Sequence, residues 1–361
     1  MKFLFLTDTQ LPSNRASALH VMHLVPCLND HFKEVHLLSQ RKKGLEVSKI
    51  KNHHFISPQR IKLGLIGLIF SFARAIRTIK PELIYSRFVP VSLIPGLRVP
   101  YVIELHDDAW NKSRIHKMAI KRAVISPNCL GMVCITSAIS KELISIYPKS
   151  KDKLTVIADA AAQAPEQYQC RFIDRQSLKI AYVGSFHRGK GVELVVELAE
   201  QLPQHRFLIF GGNASEVAER CKYAPSNIEW KGFVNQNLLW KEMEDIDICL
   251  LPNQQKVLTG KRSDIGRFTS PLKMFEYMAY AKPIIASDLP VLKEVLNEKI
   301  AMLADPEDLT DWKKAIERLT SVELRQTLGK NAQLIFLKSY TWQQRSEQIF
   351  NFLNLKLKNS L

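Results

Sequence analysis

The chain has 361 residues, of which 46% are hydrophobic and 24% charged, and its formal net charge is +16. That length exceeds one ordinary core and suits two domains, while the composition excludes a disordered or fibrous chain. The charge favours anionic partners such as phosphates, anionic lipid or nucleic acid, and it is uneven: residues 1–160 hold 24 Lys and Arg against 11 Asp and Glu, a balance of +13, leaving +3 for the rest.

In chain order, 3–7 reads as a strand, 16–29 as a helix, 34–39 as a strand and 63–80 as a helix. Short β-like runs follow at 83–86 and 101–105. A helix is expected at 112–128, a strand at 131–136, a helix at 140–147 and a strand at 153–157. Strands alternating with helices imply parallel sheets covered on both faces. Residues 160–177 lack a clear period and contain the expected linker, 163–177. The alternation then restarts: strand 179–183, helix 191–201, strand 206–210, a Gly211-Gly212 turn, helix 216–221, strand 227–230, helix 238–244, strand 246–251, helix 271–281 and strand 283–287. Helices at 311–331 and 341–357 close the chain. The expected domains are 1–162 and 178–340, with 341–361 as a C-terminal helix packing back toward the first domain.

The six cysteines form neither a C-x-x-C pair nor a zinc-spaced cluster with histidine, which fits reduced thiols in the cytosol. The first residues read as a strand rather than a signal peptide, and the longest apolar run, 63–73, is too short to span a bilayer. The expected location is the cytoplasm, or peripherally the cytoplasmic face of the membrane.

Two segments carry phosphate chemistry. Ser270 is a good N-cap and Pro271 a good first helical residue, so the helix start at Ser270-Pro271-Leu272-Lys273 is an anion site reinforced by the Lys273 charge. Glu276, one turn on, can accept two hydrogen bonds from a vicinal diol such as ribose. An ordinary capped helix with Glu276 in solvent is the bland alternative. The second segment, Gly184-Ser185-Phe186-His187-Arg188-Gly189-Lys190-Gly191, follows a strand and opens a helix. Its glycines let backbone approach a phosphate, and Arg188 and Lys190 supply cations. The spacing is neither a P-loop nor a clean G-x-G-x-x-G.

These segments, with Pro283-Ile284-Ile285-Ala286-Ser287-Asp288, resemble the donor half of the family 4 (group 1) glycosyltransferases. Leu11-Pro12-Ser13-Asn14-Arg15-Ala16-Ser17 with His20, Ile84-Tyr85-Ser86-Arg87 and Glu104-Leu105-His106-Asp107 are similar to segments of its acceptor half. The resemblance runs along nearly the whole chain. It implies the GT-B fold, two Rossmann-like doubly wound α/β domains with parallel sheets facing each other across a cleft, and a retaining, metal-independent hexosyltransferase. The implied donor is a UDP- or GDP-sugar and the acceptor a hydroxyl of a glycan or lipid-linked molecule, in cell-surface polysaccharide or glycolipid synthesis. No cofactor is implied.

Residue by residue, the resemblance implies that Glu276 binds the donor ribose and Lys190 the diphosphate. Gly184, Ser185, Arg188 and the amides around Ser270, Pro271, Leu272 and Lys273 also serve the phosphates. Gly232, Phe233 and Val234 flank the base, and His106 lies near the reacting centre. Ser13, Asn14, Arg15 and Arg87 are candidate acceptor contacts; a surface or interdomain salt bridge is the alternative for the two arginines. Two positions depart from the family pattern. Phe268 stands where many relatives carry the first of two glutamates, and Ser185 where many carry arginine, a charge that Arg188 would supply.

Asp107-Asp108 reads as structural or acceptor-facing, not as a metal pair. His20, His23, His31, His53, His54 and His116 show no ligand spacing and read as core or surface residues. Arg60, Lys62, Arg74, Arg77 and Lys80 flank an apolar helix that either packs on the first sheet or lies on an anionic membrane surface. An epimerase or phosphorylase of the same fold, and a non-catalytic relative, remain as alternatives. Nucleic-acid binding is the reading from charge alone, but no such motif is present, so no nucleic-acid partner is expected.

Overall fold

The computed structural model describes residues 1–13, 15–41, 50–56, 64–259, 263–264 and 266–359. The chain divides into two compact units: 1–160 with 342–361, and 161–341.

In the first unit the described residues form strands β1 (Lys2–Leu11), β2 (Glu34–Arg41), β3 (His53–Ile56), β4 (Leu83–Ser86), β5 (Tyr101–Leu105), β6 (Cys129–Cys134) and β7 (Leu154–Val156). They lie in the order β3-β2-β1-β4-β5-β6-β7, every pair parallel. The interleaved helices are α1 (Ala16–Leu28), α2 (Gly64–Ile79), α3 (Ala109–Lys112), α4 (Arg114–Ile125) and α5 (Ser137–Ile146). Central strands such as β4, β5 and β6 are buried at every residue, which is why they read as continuous apolar runs. The order reverses between β1 and β4, and in such sheets ligands gather at the strand carboxyl ends near that point.

The second unit repeats the plan with β8 (Lys179–Val183), β9 (Arg206–Phe210), β10 (Ile228–Gly232), β11 (Ile248–Leu251), the short hairpin β12 (Leu258–Thr259) and β13 (Ser263–Asp264), β14 (Ile284–Ser287) and β15 (Met302–Ala304). Its main sheet runs β10-β9-β8-β11-β14-β15, all parallel, so the switch falls between β8 and β11. The helices are α6 (Val192–Gln201), α7 (Ala214–Cys221), α8 (Gln236–Met243), α9 (Leu272–Ala279), α10 (Leu309–Arg318) and α11 (Val322–Ser339). The last helix, α12 (Trp342–Lys358), returns to the first unit and packs on α1.

Several boundaries differ from the sequence reading for local reasons. The helix expected at 112–128 is two, broken at Ser113, which is fully extended (φ −166°, ψ 167°) and whose hydroxyl accepts the His116 N–H. The helix expected at 311–331 is likewise two, because Ser321 caps α11. Pro271, not Ser270, is the N-cap of α9, since its ψ of 122° is extended and helical geometry begins only at Leu272. Gly191 is the N-cap of α6 at φ +85° rather than its first residue. Strands β3 and β15 were not expected. Residues 163–177 pack along the second unit: Tyr168 donates to the Tyr280 carbonyl at 2.8 Å, and the buried Arg325 donates to the Ile173 carbonyl at 2.6 Å. Asn14, Arg60, Lys62 and Leu63 lie outside the described residues. Among the described residues, no helix is long and apolar enough to cross a membrane.

Candidate functional site

The donor-type residues of the sequence reading lie in the second unit, at the carboxyl ends of β8 and β10 and at the start of α9. The α9 helix is fixed there by Tyr277, whose hydroxyl accepts the Val183 N–H at 2.9 Å and donates to the Leu250 carbonyl at 3.4 Å. One turn earlier on the same helix, Lys273 is buried, 9% exposed, with Nζ 4.0 Å from the centre of the Tyr182 ring. Among the described residues this ammonium has no hydrogen-bond partner. Burial, then the neighbouring Lys190 charge, hold it well below the usual lysine range against the pull of Glu276. Burial lowers Lys190 as well. Two like charges are thus drawn together in a desolvated place, an arrangement that costs energy until an anion joins it. Glu276 sits half-buried one turn after Lys273.

The glycines are there because backbone packs on backbone. A Cβ at Gly191 would lie 1.9 Å from the Pro252 carbonyl oxygen, and one at Gly189 1.9 Å from that of Lys256. The loop is closed by Gly184 N–H to the Phe210 carbonyl and Gln254 N–H to the Gly189 carbonyl. Ser185 and Arg188 are exposed on it. Gly232 ends β10 at φ +65°, Phe233 after it is 61% exposed, and Val234 is partly covered. Ser270 is half-buried and Pro271 buried. Phe268 is 1% exposed under the Arg267 guanidinium. The sequence reading missed Asn253, just past β11, which is fully buried with both amide atoms unpartnered among the described residues.

In the first unit a second cluster forms at the ends of β4 and β5. The register pairs Ser86 with Ile103, which sets Arg87 beside Glu104. Glu104 is 1% exposed and surrounded by partners. Its Oε2 accepts from Tyr85 and, at 3.0 Å, from Arg345 on α12; its Oε1 faces His106 Nε2, His20 Nε2 at 3.0 Å and Arg87 Nε at 3.6 Å. His20 Nδ1 lies 2.8 Å from Asp159, so the His20 ring stands between two carboxylates. Arg87 also donates to the Ser17 carbonyl, tying β4 to α1. Ser13 is half-buried, and its hydroxyl accepts the backbone N–H of the exposed Arg15.

Burial opposes ionisation of Glu104, but coupling to His20 and Arg345 outweighs it and holds the carboxyl well below the usual range. Asp159 is likewise brought down to about 2 against burial, chiefly by His20. His106 goes the other way: burial, then the Arg87 cation, push its imidazole down to about 4. A neutral His106 that gives its Nε2–H to Glu104 keeps Nδ1 as an acceptor. Of the predicted residues, Arg87 and His106 thus meet on one carboxylate. Glu104 was quoted only within a motif; Asp159 and Arg345 carried no signal, and His20 is a core residue whose core position belongs to this cluster. His20, Glu104 and His106 each offer a ligand atom within 4.8 Å of the others, yet two guanidinium groups on the same carboxylate disfavour a further cation. Asp107 pairs with Lys112 at 2.6 Å and Asp108 accepts from Asn111, so each has its own partner.

Two consecutive Rossmann-like parallel sheets of this order are the GT-B architecture of glycosyltransferases. HepE of Anabaena, solved in complex with UDP, superposes with a TM-score of 0.73 at 15% identity, covering 98% of this chain and all of that one. Residues 177–321 match the family model described as Glycosyl transferases group 1. The uncharacterized glycosyltransferase MJ1178 of Methanocaldococcus jannaschii is 24% identical over 347 residues, 90% of each chain. TuaH of Bacillus subtilis, named as a teichuronic acid biosynthesis glycosyltransferase, is 22% identical over 199 residues, 52% of this chain; the match spans about half of TuaH, 48%. Residues 177–321 are thus similar to the group 1 glycosyl transferases, and the relatives named as glycosyltransferases support a transferase enzyme.

Proposed function

We propose that this enzyme is a retaining, family 4 glycosyltransferase that moves a sugar from a UDP- or GDP-sugar to a hydroxyl of a glycan or lipid-linked acceptor, in cell-surface polysaccharide or glycolipid synthesis. The observation that carries the reading is the buried Lys273 ammonium beside Lys190, without a hydrogen-bond partner among the described residues. A diphosphate is the natural counter-ion for such a pair at a helix start and a glycine loop. The UDP in the HepE complex and the teichuronic acid biosynthesis in TuaH's name support the donor and the pathway class.

In this reading the amide of Ser185 and the start of α9 receive the phosphates, Gly184 lets the backbone turn there, and Arg188 adds a charge from the exposed loop. Glu276 accepts from the ribose diol. Gly232, Phe233 and Val234 flank the base, with exposed Phe233 as its stacking surface. The acceptor oxygen forms a bond to the anomeric carbon as that carbon's bond to the diphosphate breaks. The nucleoside diphosphate leaves with the electron pair, and the acceptor proton passes to its leaving oxygen on the same face. Lys190, Lys273 and the helix dipole neutralise the charge that develops, which serves the function of a metal ion. Neutral His106 orients a hydroxyl through Nδ1, held by Glu104; Ser13, Arg15 and Arg87 hold the acceptor.

A thermal-shift screen of UDP-, GDP-, ADP- and TDP-sugars tests this, because a ligand of the native state raises apparent stability. A UDP- or GDP-sugar should shift the wild type and not the Glu276→Ala variant. No shift with any of them, or an unchanged shift in the variant, removes the reading. Product analysis separates transfer from an isomerised donor or a sugar phosphate.

A cytoplasmic chain meeting a lipid-linked acceptor would also dock on the anionic inner membrane face. The exposed side of α4, with Arg114, Lys117, Met118, Lys121, Arg122 and Ile125, supports that reading. Failure to sediment with phosphatidylglycerol vesicles at low salt would refute it.

A further inference from the structure

Asn253, just past the end of β11, is completely buried. Among the described residues neither its amide oxygen nor its amide nitrogen has a hydrogen-bond partner. A carboxamide carries two donor hydrogens and an acceptor oxygen with two lone pairs. Burying all of them unsatisfied works against folding, and an apolar side chain at the same place would not. A polar group kept there at that cost calls for a partner that the chain itself does not supply.

The backbone on either side of Asn253 places it. Gln254 N–H donates to the Gly189 carbonyl at 2.8 Å, and a Cβ on Gly191 would lie 1.9 Å from the Pro252 carbonyl oxygen. Residues 252–254 and 189–191 therefore run side by side in opposite directions, with Asn253 opposite Lys190. The charge of Lys190 is felt in turn by Lys273, whose Nζ lies 3.4 Å from where a Cβ on Gly184 would stand. One buried carboxamide and two cations thus collect around the glycine loop. Sheet order says which part of a donor comes here. In the donor reading the base lies against residues 232–234 after β10, and the sheet runs β10-β9-β8-β11. The end of β11 is three strands from that of β10, about 14 Å at the usual strand spacing, and lies beyond the glycine loop as seen from the base.

We infer that Asn253 binds the phosphate that bears the sugar. Its amide N–H groups donate to an oxygen of that phosphate, and its carbonyl oxygen accepts from the Lys190 ammonium. This rests on the donor reading above and adds to it a neutral residue that recognises one particular phosphate. The charges set the amide's orientation, because its NH2 group cannot face an ammonium and its oxygen cannot face a phosphate. As the sugar departs, negative charge grows on that phosphate and the bond from Asn253 strengthens.

The test measures binding of UMP, UDP, GMP, GDP and inorganic pyrophosphate to the full chain by calorimetry, with melting curves of the unliganded protein. Asn253→Ala should weaken the nucleoside diphosphate that the wild type prefers, and pyrophosphate, by about tenfold or more. The matching monophosphate, which lacks the phosphate in question, should stay within about twofold. Asn253→Asp keeps the size and sets a carboxylate opposite Lys190, so the unliganded variant should melt higher than wild type and lose diphosphate binding. If Asn253→Ala fails to fold, the aspartate variant carries the test alone. Full diphosphate affinity in either variant would make Asn253 a packing residue and overturn the inference. Equal losses of mono- and diphosphate in Asn253→Ala would overturn the assignment to the sugar-bearing phosphate. An aspartate variant that melts lower than wild type would overturn the contact with Lys190. Glu276→Ala, measured alongside, keeps the two readings apart. Pyrophosphate binding that needs Asn253, without binding of any nucleotide, condemns the donor reading and leaves this site standing. Nucleotide binding that needs Glu276 and not Asn253 does the reverse, and absence of all binding overturns both.

Discussion

Replacing Lys273 by methionine separates a ligand-binding ammonium from a structural one. Methionine keeps the aliphatic length and removes the charge. The loss to the unliganded protein is the contact with the Tyr182 ring at 4.0 Å, about 0.5–2 kcal/mol. The gain is release of a buried charge that has no hydrogen-bond partner among the described residues, a penalty of several kcal/mol per ion. The unliganded variant should therefore be more stable by roughly 1–2 kcal/mol, which raises Tm by about 2–4 °C per kcal/mol for a unit of this size. With nucleotide the sign reverses. A charge-assisted hydrogen bond contributes about 1.5–3 kcal/mol, so affinity should fall about 10- to 150-fold. At a nucleotide concentration near 100 Kd the wild type gains about 2.7 kcal/mol, while a variant bound 100-fold more weakly gains only about 0.4 kcal/mol. Differential scanning fluorimetry with and without UDP reads both effects. A variant that melts several degrees lower and keeps the full UDP shift would refute the reasoning, since Lys273 would then be a packing residue.

Removing the guanidinium of Arg345 should destabilise the first unit. Arg345→Met leaves Glu104 buried with fewer partners, and breaking such a pair costs about 3–5 kcal/mol; the lower end is expected because Tyr85, His20 and Arg87 remain. Urea denaturation would count against the pair if the loss were under about 1 kcal/mol. Stability should also fall on acidification. His106 and His53 are each depressed to about 4, so between pH 6.5 and 4 the unfolded chain binds more protons than the folded one. The stability from each group is complete above the unfolded value and is lost across that window, with a ceiling of roughly 3 kcal/mol for His106 and less for the more exposed, screened His53. Asp159, depressed to about 2, extends the loss below pH 3.8. A Tm that stays flat from pH 7 to 4.5 would contradict these two half-buried, neutral histidines.

The alternation of strands and helices was legible because buried parallel strands are apolar throughout and their helices are periodic. The breaks at Ser113 and Ser321 were not, since a single hydroxyl capping a backbone N–H leaves the apolar period intact on both sides. The glycine loop and the α9 start were readable because close backbone packing and a helix terminus each need particular residues within a few positions. The cluster on Glu104 escaped for the opposite reason. His20 meets Asp159 across 139 residues and Arg345 meets Glu104 across 241, and nothing local to any of them marks the partner. Phe268 is a different case: the sequence raised the missing acid, and the structure supplies a sealed apolar position in its place.

The return of α12 to the first unit sets an order of assembly during synthesis. All of 161–341 is synthesised before Arg345, so the sequence of the second unit is complete while the first still lacks the cation that faces Glu104. Until α12 is made, the Glu104 carboxylate has Tyr85, His20 and Arg87 to face but not Arg345. A chain cut short before residue 345 would therefore carry every residue of the second unit and leave the first without the helix that supplies Arg345 to Glu104.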